Sequence, residues 1–156
     1  VKFSIVAFGR SKFPFVDHGI SHYLDQIEHL ADSVELIELK DQGSDQKKEM
    51  EFLLASLAKK KFLDDGKTRV FLLDERGKLS TSREFAASLS ALCDQGVQRF
   101  VFVIGGAYGF PDALRSRFPL LSLSKLTFPH DLARLVLAEQ VYRALQILKG
   151  GAYHHD

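Results

Sequence analysis

The sequence predicts an α/β domain, a mostly parallel sheet with helices on both faces. Two observations carry this. Strand-like and helix-like segments alternate along the chain. Two of the strands, Val70–Asp74 (VFLLD) and Phe100–Ile104 (FVFVI), are apolar at almost every position. A strand with one wet face alternates apolar and polar residues, whereas one covered on both faces has no need to. Repeats, low-complexity tracts and domain linkers are absent, so residues 1–156 read as a single domain.

Taken in order, Lys2–Phe8 (KFSIVAF) reads as the first strand. Phe15–Leu30 carries Phe15, Ile20, Tyr23, Ile27 and Leu30 at spacings that suit one helix face. Val34–Leu39 alternates Val34 and Leu36 with acids and reads as a strand. After the polar linker Lys40–Asp45, Ser44 or Asp45 can cap a helix bearing Met50, Leu53, Leu54 and Leu57. Val70–Asp74 ends in an acid, and a turn is expected at Glu75-Arg-Gly-Lys78. Thr81-Ser-Arg-Glu84 matches a capping box, which pairs two otherwise orphaned backbone donors, and opens a helix to about Cys93. Phe100–Ile104 runs into Gly105-Gly-Ala-Tyr-Gly109, and Pro111 suits a first helical position. Leu120–Leu123 is short and strand-like, and a helix from Pro129 to Leu148 follows.

Composition narrows the partners. A chain of 156 residues, 46% hydrophobic and 26% charged, is that of an ordered domain. Twenty-one basic against 20 acidic residues leave a net charge of +1, so general attraction to nucleic acid is not built in and only a local patch could supply it. The single cysteine, Cys93, suits a reducing compartment and reads as helix packing. No apolar run approaches the ~20 residues of a membrane span. The opening Val1-Lys-Phe-Ser-Ile-Val reads as a strand rather than a signal peptide, so a cytoplasmic protein is expected.

Ligands of open α/β sheets bind at the carboxyl ends of strands. Three such ends are distinctive here: Leu73-Asp74, Gly105-Gly106 and Leu123–Phe128. Gly105–Gly109 is either a tight turn or a loop that lets backbone approach a ligand. It is not GxGxxG, and no acid follows at the distance a ribose would need, so a standard dinucleotide site is disfavoured. A triphosphate loop and a serine-hydrolase elbow are missing too. His18, His22 and His29 share a helix face, but no acid or cysteine completes a metal-binding spacing, so they read as a solvated face and no metal is expected. On the last helix Glu139 reaches Arg143 at i, i+4; Arg134 and Arg143 either form ion pairs or face a phosphate-bearing substrate, and periodicity leaves both open. Tyr153-His154-His155 is either a frayed end or a place where a base is stacked and a proton removed.

Together, Gly105-Gly-x-x-Gly109, Leu123-Ser-Lys-Leu-Thr-Phe-Pro-His130, Arg134, Glu139-Gln140-x-Tyr142-Arg143-Ala144 and Ala152-Tyr153-His154 closely resemble the ribosomal RNA large subunit methyltransferase H family, of the SPOUT class. The resemblance covers nearly the whole chain. It is strongest from Phe100 onward and weakest between about Lys40 and Lys67. It implies an S-adenosylmethionine-dependent enzyme that methylates N3 of a pseudouridine in large-subunit ribosomal RNA, on assembled ribosomes. It also implies a homodimer and a C-terminal trefoil knot, against the general rule that chains are unknotted. Carried over by position, Leu73, Gly105, Leu123, Ser124, Lys125, Leu126, Thr127 and Phe128 would hold the cofactor. His130, Arg134 and Arg143 would meet the RNA, and Tyr153 and His154 would serve catalysis. The ending His155-Asp156 stands where family members often carry a basic residue after the Tyr-His pair. A knotted methyltransferase for another RNA, such as transfer RNA, and a non-catalytic ribosome-binding module are the competing readings.

Overall fold

The computed structural model describes residues 1–155, so Asp156 of the expected basic-to-acidic departure lies outside it. Five strands form one parallel sheet: β1 (Lys2–Phe8), β2 (Ser33–Leu39), β3 (Thr68–Lys78), β4 (Arg99–Ile104) and β5 (Leu120–Leu121), in the order β2-β1-β4-β3-β5. Between and after them run α1 (Pro14–Glu28), α2 (Gln46–Lys59), α3 (Ser82–Asp94), the one-turn α4 (Asp112–Arg115) and α5 (His130–Leu148).

The two apolar strands do what their composition implies. Phe100, Phe102 and Ile104 of β4 pack with Phe3, Ile5 and Ala7 of β1 against α1, α3 and α5. Val101 and Val103, pointing the other way, join Val6, Val70 and Leu72 under Leu53 and Leu57 of α2 and Leu114 of α4. Both sheet faces are therefore core. Phe102 has no solvent exposure and stacks on Phe71 at 5.7 Å. Cutting it to alanine would cost about 3–5 kcal/mol through lost burial and the cavity left behind.

The caps follow the sequence. Asp45 accepts from the backbone N–H of Lys47 and Lys48, and Thr81 and Glu84 complete the capping box of α3. Pro111 and Pro129 stand one residue outside their helices, as N-caps.

Three expectations change. The turn at Glu75–Lys78 belongs to β3. The strand pairs with Leu121 at Leu73, bulges outward, and pairs with Leu121 again at Lys78. Gly77 makes the return possible, because a Cβ there would lie 2.6 Å from the Leu120 carbonyl carbon. On α1 the buried positions are Val16, Ile20 and Ile27, and Phe15 is 62% exposed beside Phe13. Cys93 is also exposed: Phe85, Ala86 and Leu89 take the inner face of α3.

Candidate active site

A cleft of about 810 Å³ opens at the carboxyl ends of β3, β4 and β5. The β3 bulge (Asp74, Glu75, Arg76) forms one wall and the Gly105–Gly109 loop another. The β5–α5 loop closes it, with His130 and Ala133 of α5 at the edge. Of the residues expected to hold a cofactor, Leu73, Gly105, Leu123, Ser124, Leu126, Thr127 and Phe128 all line this one cavity. Lys125 does not; its side chain is exposed.

The β5–α5 loop is held by its own short side chains. Ser122 donates to the Ser124 carbonyl at 2.9 Å, and Ser124 Oγ accepts from the Leu126 N–H at 2.9 Å. Thr127 donates across the cleft to Glu75 at 3.2 Å, tying the loop to the β3 bulge. This arrangement leaves Leu126 73% exposed at the mouth. An apolar side chain so presented gains burial when a flat ring covers it.

Two residues the sequence did not single out shape the same wall. Asp74 takes a 2.7 Å hydrogen bond from Arg115 Nε of α4 and another from the Arg76 N–H. Burial favours the protonated form of Asp74, but the Arg115 hydrogen bond, the Arg76 N–H and both positive charges outweigh it, so its pKa lies below the ordinary value. Behind the glycine loop, a Cβ on Gly106 would fall 2.5 Å from Glu49 Oε1. Only glycine fits between this acid and the cleft.

The cavity fits a nucleoside-sized ligand with a cationic group. Its volume is in the range of small-molecule sites. It offers backbone groups from three loops, an uncovered leucine, and a buried carboxylate at a wall without a side chain.

The N-terminal turn of α5 overturns one expectation. Arg134, expected on the RNA side, is 1% exposed. Its guanidinium donates to the Phe8 carbonyl at the end of β1 (2.8 Å) and to Glu38 at the end of β2 (3.3 Å). Asp131, 4.0 Å from the same guanidinium, accepts from the Lys12 N–H of the β1–α1 loop. The β1 connection leads one way along the sheet and the β4 connection the other, which makes the gap between them the usual ligand crevice. Here Arg134 plugs that edge of the sheet, and the open cleft lies over β4, β3 and β5. Arg134 is a brace. His130 stays on the cleft edge with its side chain 39% exposed.

The far end of α5 holds the tail. Arg143 pairs with Glu139 at 2.6 Å, both largely buried. The Tyr153 hydroxyl donates to the same Glu139 oxygen at 3.1 Å, and its ring lies 4.7 Å from both the Arg143 guanidinium and the Tyr142 ring. Arg143 Nη1 meets His154 Nδ1 at 3.2 Å; a guanidinium only donates, so Nδ1 accepts and the ring proton sits on Nε2. Burial, a hydrogen bond with Tyr23 and the Glu139 charge push the Tyr153 pKa far up, so the docked phenol keeps its proton. Tyr153 and His154 are thus anchored rather than frayed.

The two expected sets of residues do not meet within one chain. His130 lines the cleft, whereas Arg143 lies roughly 20 Å further along α5 at ~1.5 Å of rise per residue. Neither Tyr153 nor His154 lines the cavity.

A family model described as "Predicted SPOUT methyltransferase" matches residues 1–154. The chain belongs to the SPOUT methyltransferase family, and it is an enzyme of the methyl-transferring class. Among its relatives, proteins named ribosomal RNA large subunit methyltransferase H align along almost their whole length. The one from Geobacter sp. (strain M21) is 40% identical over 95% of both chains. That of Geotalea daltonii is 38% identical over 99% of this chain and 100% of its own. That of Nitratidesulfovibrio vulgaris (strain Miyazaki F) is 41% identical over 97% of each. A solved structure described as a probable methylase family protein of Haemophilus influenzae Rd KW20 shares the fold, with a TM-score of 0.50 and 12% identity over 99% of this chain and 70% of its own.

Proposed function

We propose that the protein transfers a methyl group from S-adenosylmethionine to N3 of a pseudouridine in large-subunit ribosomal RNA, on assembled ribosomes in the cytoplasm. The observation that carries this reading is the single cleft that gathers Leu73, Gly105 and the Leu123–Phe128 loop, in a chain whose full-length relatives bear that ribosomal RNA methyltransferase name. The net charge of +1 favours a preformed ribosomal surface over naked RNA, where affinity depends on many phosphate contacts.

The bound cofactor would supply an electrophilic methyl sulfonium; the protein has to align it and help remove the imide proton. Leu73, Leu123, Leu126 and Phe128 cover apolar ring faces, and loop backbone groups hold polar edges. His130 meets the RNA at the cleft edge, and Arg143 meets it beside the tail. Tyr153 and His154 position the uridine-like base, and the proton leaves N3 to a neutral acceptor as the new N–C bond forms.

Because the tail sits roughly 20 Å along α5 from the cleft, the active unit is a homodimer in which one protomer's tail meets its partner's cleft. The half-buried Leu132, Leu135 and Val136 and the exposed Leu148 supply apolar surface for that contact. The C-terminal trefoil knot belongs to the same reading. Its support is the path of the 122–129 loop across the end of the β3 bulge before α5 returns against α1 and α3.

Mass mapping of modified nucleotides tests the proposal, after unmethylated ribosomes are incubated with enzyme and S-adenosylmethionine. One new methyl on a large-subunit pseudouridine is expected. Methylation of transfer RNA or free ribosomal RNA in preference to ribosomes would overturn the substrate, and cofactor binding without transfer to any RNA would overturn the activity.

A further inference from the structure

Glu49, in the first turn of α2 behind the glycine loop, carries a buried carboxylate with no partner. The residue is 7% exposed, and among the described residues no hydrogen bond or ion pair reaches either oxygen. Buried acids ordinarily have donors, because an unmatched carboxylate loses its hydration and gains nothing in return. Its neighbours make matters worse. Burial first, then the charges of Asp41 and Asp45, hold its pKa above the usual carboxylate value.

The direction in which the charge is open is toward the cleft. A Cβ on Gly106 would lie 2.5 Å from Oε1 and 3.0 Å from Oε2, and Gly106 lines the cavity. The acid is held in register with that loop. Gln46, one turn earlier on α2, donates to the Tyr108 carbonyl at 2.7 Å. The other acids of the wall are already engaged, Asp74 by Arg115 and Glu75 by Thr127.

We propose that Glu49 is the counter-ion of the cofactor, receiving a positively charged group of S-adenosylmethionine across the side-chain-free Gly106. This rests on the cofactor reading above. S-adenosylmethionine has two cationic groups, its sulfonium and its ammonium, and either one would neutralise a carboxylate for which the fold itself provides no donor. The glycine and the acid then form one device: a side chain at 106 would wall the charge off, and without the acid the gap would have nothing to offer.

Calorimetry on the full-length Glu49→Gln protein tests this, with S-adenosylmethionine and its thioether product as ligands, beside melting curves of the unliganded protein. Binding of S-adenosylmethionine should weaken about tenfold, while the unliganded melting temperature holds or rises because an unmatched charge has gone. Equal loss for both ligands assigns the ammonium, and a smaller loss for the thioether assigns the sulfonium; both support the proposal. Glu49→Asp, which keeps the charge but draws it back, should bind with intermediate affinity. Affinity changed less than twofold by Glu49→Gln would overturn the proposal. So would a melting temperature that falls in step with affinity, the mark of a structural brace. If the unaltered protein does not bind S-adenosylmethionine, the cofactor reading fails and this inference with it; if it binds and Glu49→Gln changes nothing, this inference alone fails.

Discussion

The two ends of α5 solve different problems with different materials. At its N-terminus the cleft is made of backbone, glycines, short hydroxyl side chains and leucines, and the one large charge there, Arg134, is buried as a brace. At its C-terminus Glu139, Arg143, Tyr153 and His154 bind one another in a polar cluster on the helix surface. The first end is a preformed cavity, fixed before any ligand arrives. The second is a docked tail whose groups satisfy each other and can exchange those partners for others. Holding a cofactor calls for rigidity, and handling an RNA base calls for side chains able to change partners.

The largest effect expected from breaking this contrast is on chemistry at the tail. Tyr153→Phe and His154→Ala should each slow methyl transfer to ribosomes by roughly 10²–10⁴-fold, the usual scale for a lost acid–base or positioning group. Calorimetry should find their cofactor affinity unchanged, because neither residue touches the cleft. Full activity in both variants at saturating substrate would remove the tail from catalysis.

Next comes the brace. Arg134→Met strands the Phe8 carbonyl and the buried Asp131, and should destabilise the fold by about 3 kcal/mol. Denaturant midpoints measure this, with the slope unchanged. A loss under about 1 kcal/mol would mean that Arg134 does not hold the sheet edge to α5.

At the cleft wall, Asp74→Asn should cost about 1–2 kcal/mol at pH 7 by weakening the bond to Arg115. The sign follows from the shift. Asp74 has a folded pKa below its unfolded value near 4, so its stabilisation is present at neutral pH and disappears as pH falls through the folded value. Melting curves of the two proteins should therefore converge at acidic pH, below about 4. Curves still equally far apart there would show that the charge of Asp74 is not what stabilises.

The smallest effect belongs to tail docking. Glu139→Gln removes the charge that Tyr153 and Arg143 share, and should cost under about 1 kcal/mol of stability for a partly exposed pair. Its clearer signature is spectroscopic. Tyr153 should ionise at lower pH than in the parent protein, seen as tyrosinate absorbance in alkaline titration. An unshifted titration would mean that burial alone, rather than Glu139, holds the phenol protonated.

Much of this architecture was legible in the residues. The unbroken apolar runs of β3 and β4 announced a sheet covered on both faces, and the Thr81–Glu84 box and Asp45 marked helix starts that the structure keeps. The cofactor loops were found because strand ends followed by glycine or short polar runs are local features. Arg134 was misread because its neighbours in sequence say nothing of Phe8 or Glu38, which reach it only through the fold. Glu49 was passed over for the same reason. One turn into a helix that starts with Gln-Lys-Lys, it looks like one more surface charge.

The sequence by itself determined the alternation of elements, the helix caps and the family, since these rest on local periodicity, on side chains reaching three or four residues, and on ordered motifs. The tertiary structure alone decided which charges are inside, that the usual sheet crevice is plugged while the neighbouring one is open, and that tail and cleft stand at opposite ends of one helix. Those facts depend on strand order and on the β3 bulge. Both are set by packing between segments far apart in the chain, which no short window of residues records.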